Sequence, residues 1–139
     1  MKTNRRDRKI RISTILFLFL LGLGAIYGGV MLILDSSGAS MQLPVDLLTN
    51  SIFKDYLLPG ILLLTLNGIL SIAIAILVIL KQKLAWILVI IQGLVLAGWI
   101  TIQIIIIDGF YPPLHIPYYI TGLVLIYLGR QLKKMHAGI

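Results

Sequence analysis

Four long apolar runs, with charge confined to the segments between them, constrain this chain more than any other feature. The runs are Ile12 to Leu34, Leu57 to Leu80, Leu84 to Ile107 and Leu114 to Gly129, and none contains Asp, Glu, Lys or Arg. At 1.5 Å per residue the first three reach about 35 Å as helices, enough for a bilayer core of about 30 Å with some tilt. The fourth reaches only about 24 Å by the same rise. It needs help from Tyr111 to Pro113 at one end, from Arg130 to Leu132 at the other, or from snorkelling by Arg130. Composition points the same way. The chain is 59% hydrophobic and 12% charged over 139 residues, whereas soluble domains are about a quarter charged. So short a chain has too little interior to hide that much apolar surface from water. The expected fold is therefore all-α: a single four-transmembrane-helix bundle, multi-pass, with spans at about 12–34, 57–80, 84–107 and 114–129.

Charge gives the direction. Of the 12 basic residues, only Lys54 lies outside if residues 1–11, the Lys81–Lys83 turn and the segment after Gly129 are cytoplasmic. Asp35, Asp46, Asp55 and Asp108 fall on or near the other side. Basic residues are retained on the cytoplasmic face, so both termini are expected inside. Beside a membrane span, the basic tail carrying Arg5, Arg6, Arg8, Lys9 and Arg11 reads as a partner for anionic lipid headgroups rather than for nucleic acid. The first apolar run exceeds the length of a signal-peptide core, so it is expected to stay as a span.

The first outer loop, residues 35–56, opens on the turn-forming Ser36-Ser-Gly38. Pro44 then precedes Val45, Leu48, Ile52 and Tyr56, which recur at spacings of three and four. That pattern predicts a short amphipathic helix on the outer interface. Pro59-Gly60 is expected either to kink the start of the second span or to mark a bend in a helix beginning near Ser51.

Helices in lipid associate through close packing at small residues and through polar contacts. Gly24 and Gly28 on the first span, and Gly93 and Ala97 on the third, have the four-residue spacing of such seams. They are expected at contacts within the bundle, with a homodimer as the alternative. Polar residues at membrane depth are few. Asn67 and Ser71 are four apart on the second span, and Gln92, Trp99 and Gln103 share a face of the third. These five form a candidate intramembrane polar face. Its plain reading is a hydrogen bond from Asn67 to Gln92 or Gln103; its sharper one is a binding cavity with an indole wall.

Several functions are disfavoured. No ionisable side chain lies in the middle of a span, where ion-coupled carriers place one. The small multidrug exporters match in size but depend on an acid in their first helix, and Ile12 to Leu34 has none. There is no cysteine, which removes thiolate chemistry. Asp108 and His115 belong to no metal-ligand spacing, so no metal and no cofactor is expected. No nucleophile sits beside a base, so no enzymatic activity is expected.

The run GASMQLPVDLLTNSIFKDYLLPGILLLTLNG, with its Gly-Ala-Ser turn, Leu-Pro, Ser-x-Phe-x-Asp-Tyr and Pro-Gly, and the later GWITIQ, resembles a family of small, uncharacterised bacterial four-helix membrane proteins. The resemblance implies a bacterial cytoplasmic membrane protein and transfers no activity. The leading expectation is an interaction or scaffold protein, or accessory subunit, that binds a membrane-protein partner or lipid. The alternative is a binder or carrier of a small apolar or amphipathic molecule.

Overall fold

The structure, a computed structural model, describes residues 5–37, 55–106 and 112–136. Among them the chain forms helices and turns and no strand: α1 over Arg5–Leu34, α2 over Leu57–Ile79, α3 over Ala85–Ile106 and α4 over Pro112–His136. α1, α2 and α3 (to Ile105) are long and apolar enough to cross a membrane. The helix expected between Pro44 and Tyr56, and the loop around Asp108, lie outside the described residues.

Two helix hairpins, α1 with α2 and α3 with α4, make the closest contacts, and α1 with α4 and α2 with α3 close the bundle. Small residues set the spacing. A Cβ on Gly93 would sit 2.6 Å from the Gly122 carbonyl oxygen, and one on Gly122 would sit 3.0 Å from that of Gly93. On the other hairpin, a Cβ on Gly29 would lie 2.8 Å from the Gly60 carbonyl oxygen. Only glycine permits backbones to approach this closely. Between the hairpins, Leu18, Ile74, Val89, Leu96 and Leu125 form a buried apolar core.

Two polar contacts join helices at one end. The Arg6 guanidinium donates to Gln131 Oε1 at 2.9 Å, joining α1 to α4. The Lys133 ammonium lies 5.0 Å from the Trp86 ring centroid, joining α4 to α3, a cation–π contact. Every described basic residue is at this end: the start of α1, the α2–α3 turn and the end of α4. The basic tail is helical from Arg5 on, so its side chains ride on the first turns of α1. α4 outruns its apolar stretch at both ends, because Arg130 to Lys134 continue the helix with good helix formers.

α2 begins at Leu57, where the Asp55 carboxylate accepts from the Leu57 amide at 3.0 Å. Pro59 sits in the first turn, where its missing N–H costs nothing. The irregularity comes one turn later: Leu63–Ile69 is a π-helix. α2 ends in a Schellman motif. The Gln82 amide donates to the Leu77 carbonyl at 3.1 Å and the Lys81 amide to that of Val78 at 3.0 Å. This requires a left-handed residue, and Lys81 takes φ +57, the one described non-glycine residue with positive φ. An L side chain there is strained by about 1 kcal/mol or more. Lys81→Gly is expected to stabilise the fold by about 1 kcal/mol, read as a raised Tm in detergent.

Candidate functional site

The π segment positions the site. The Leu70 amide bonds the Thr65 carbonyl, five residues back, so the Leu66 carbonyl loses its ordinary α-helical donor. Gln92 Nε2 of α3 donates to that Leu66 carbonyl at 3.1 Å and to Asn67 Oδ1 at 3.4 Å. A carbonyl only accepts, so the contact with Leu66 fixes the Gln92 amide with nitrogen inward. Asn67 must then turn its oxygen to Gln92, which leaves its Nδ2 pointing elsewhere. The sequence reading of an Asn67–Gln92 contact thus has a defined orientation.

Asn67, Ser71 and Gln92 are each 0% exposed and Trp99 is 5% exposed. Asn67 Nδ2, Ser71 Oγ, Gln92 Oε1 and Trp99 Nε1 have no hydrogen-bond partner among the described residues. Native proteins seldom leave buried polar atoms unmatched, and each such group costs on the order of 1–3 kcal/mol. The threonines of the spans behave otherwise. Thr65, Thr101 and Thr121 bond back to carbonyls of their own helices at 2.8–2.9 Å. Thr101 also meets the Tyr119 hydroxyl at 2.7 Å, tying α3 to α4.

Beside these orphaned atoms lies a cavity of about 400 Å³. Asn67, Trp99 and Gln103 supply its polar wall, and Leu21, Ala25, Leu63, Leu96 and Ile100 much of its apolar wall, with Tyr118 from α4. Two of the orphaned atoms, Asn67 Nδ2 and Trp99 Nε1, are donors on residues that line it. Ser71 and Gln92 are buried and do not line it. Gln103 is half-buried. Asn67, Trp99 and Gln103 of the five expected polar residues therefore meet at one cavity, with Gln92 holding Asn67 in place.

Gly24 and Gly28, expected at a helix contact, both line this cavity, and Gly28 is also buried against Leu63 of α2. A Cβ on Gly24 would meet nothing within 4 Å, and one on Gly28 would meet only Leu63 Cδ2 at 3.3 Å. Gly22 and Gly29, seven apart, form the seam with α2. Gly93 meets Gly122 as a seam residue, with Ala97 3.7–3.8 Å from a Cβ on Gly122. Gly24 and Tyr27 are solvent-exposed in the isolated chain, so they form the margin of the cavity rather than its floor. His115, near the start of α4, is buried, and no group of three or more His, Cys, Asp or Glu among the described residues is placed to hold a metal.

Gln92→Leu removes the donor to Leu66 and Asn67 and also an unmatched acceptor. The two effects oppose each other, so the net destabilisation is expected to be about 1 kcal/mol, near the range for interhelical hydrogen bonds in lipid. Thermal unfolding of the variant in detergent measures it. No family model, curated protein or solved structure matches this chain.

Proposed function

We propose that this is a four-span protein of the bacterial cytoplasmic membrane, both termini cytoplasmic, that binds a small apolar or amphipathic molecule within its bundle. The observation that carries the reading is that two residues lining one largely apolar cavity, Asn67 and Trp99, each hold a buried donor, Nδ2 and Nε1, with no hydrogen-bond partner among the described residues. Ligand sites in proteins occupy about 300–1,000 Å³, mostly apolar with a few placed polar groups, and this cavity falls in that range. Its ligand is an apolar body with one or two hydrogen-bond acceptors, such as a hydroxyl, ether or carbonyl. Gathering of the described basic residues at one end supports the orientation. Close packing of α4 on α3 supports α4 as the fourth span.

Binding is tested through Trp99. In Trp86→Phe protein held in nanodiscs, Trp99 is the sole indole. A neutral brominated fatty alcohol is expected to quench it saturably, and Asn67→Leu to weaken that response by about tenfold, the loss of one buried hydrogen bond. Quenching that rises linearly with probe, alike in both proteins, would mean simple partition into lipid and no site. Scaffolding of a membrane partner is the competing reading.

A further inference from the structure

A second concave site lies at the basic end, away from the cavity. Arg8 and Arg11 of α1, Lys81 of the α2–α3 turn, and Ile12 and Ile15 line a cleft of about 230 Å³. Arg8, Arg11, Ile12 and Ile15 follow one another at steps of three, one and three, so they share one face of α1. The two arginines lie at the start of that face and the two isoleucines run on toward the apolar core. Lys81 is far away in sequence and joins the same cleft from the left-handed turn at the end of α2.

Three cations in one cleft repel one another, and one anion shared among them relieves that repulsion. None of the three side chains makes a hydrogen bond or ion pair with a described residue. Asp7 is the sole acid before residue 35, one negative charge among the six basic residues of that stretch. Strain at Lys81 adds to the argument. Glycine would satisfy the Schellman turn without cost, whereas a strained backbone persists where the side chain it carries serves another purpose.

We propose that this cleft is a discrete site for one anionic phospholipid, its phosphate held by Arg8, Arg11 and Lys81 and an acyl chain lying along Ile12 and Ile15. Arginine forks match phosphate oxygens bidentately, and lysine adds a point charge. The apolar continuation of the cleft selects a lipid phosphate over a free one. This differs from diffuse attraction of a basic tail to a charged surface, in which each basic residue counts alike.

The test uses the full chain in phosphatidylcholine nanodiscs doped with phosphatidylglycerol, released for native mass spectrometry. The expected result is one retained phosphatidylglycerol per chain. Lys81→Gly and Arg11→Gln are each expected to cut that retention at least tenfold. Lys83→Gln and Lys134→Gln, whose residues do not line the cleft, leave it unchanged. Lys81→Gly is also expected to raise Tm while lowering lipid retention, a divergence that a purely structural role for Lys81 does not produce. Equal losses from Lys134→Gln and Lys81→Gly would show diffuse charge attraction and overturn the site. Displacement of the lipid by millimolar glycerol phosphate would show a site for free phosphate and overturn the lipid assignment.

Discussion

Gly93→Val is expected to drive α3 and α4 apart and to cost about 3 kcal/mol or more, the upper part of the range for overpacking a close contact. The reason is local. A Cβ at Gly93 would fall 2.6 Å from a backbone oxygen of Gly122 and 2.9 Å from Ile126 Cγ1. A flexible side chain can swing away, but the Gly122 carbonyl is fixed within α4. The helices must therefore separate along the seam that also joins Gly129 to Ile90 and the Trp86 carbonyl. Gly98, five residues along α3, has open space around it. Gly98→Ala is expected to be neutral or to gain up to about 1 kcal/mol from helix propensity. Thermal unfolding of both variants in one detergent checks the pair. Similar Tm values would mean that α3 and α4 are not packed as described.

Filling the cavity has the second large effect. Gly24 borders the cavity and has no neighbour within 4 Å of a Cβ, so Gly24→Phe starts from open space and adds a ring at the margin. Stability is expected to stay within about 1 kcal/mol of the parent, as for most substitutions that touch no packed contact. Saturable quenching of Trp99 is expected to fall at least tenfold. Gln92→Leu separates the two readings of the polar face. If the face serves a ligand, the variant loses the Trp99 response because Asn67 is no longer held. If the face serves packing alone, the Tm changes and there is no saturable response to lose.

Much of the architecture was legible because lipid imposes simple rules. Uninterrupted apolar runs gave α1, α2 and α3, and the spacing of polar residues offered Asn67 a partner in Gln92 or Gln103, of which packing chose Gln92. Three features were not legible, each for a physical reason. A four-residue glycine spacing says that Gly24 and Gly28 share a face but not what that face meets; four glycines spread around α1 offer several faces, and packing chose Gly22 and Gly29 for the seam. The π segment at Leu63–Ile69 has no local signature, because Leu, Thr, Asn and Gly do not encode a wide turn. Lysine at φ +57 runs against residue preference, so the Lys81 turn, and with it the cleft shared with Arg8 and Arg11, emerges only in three dimensions. The cavity likewise depends on four helices meeting, and no single run of sequence contains it.

The most direct measurement is native mass spectrometry of the protein released from nanodiscs made with lipids of its own membrane, compared with Gly24→Phe. The cavity account predicts that the parent protein retains one small amphipathic molecule, beyond the lipid at the basic cleft, and that Gly24→Phe loses it while keeping its fold. A parent spectrum showing only bare chain, a fixed multimer or a second protein, with no small molecule sensitive to Gly24→Phe, would contradict it.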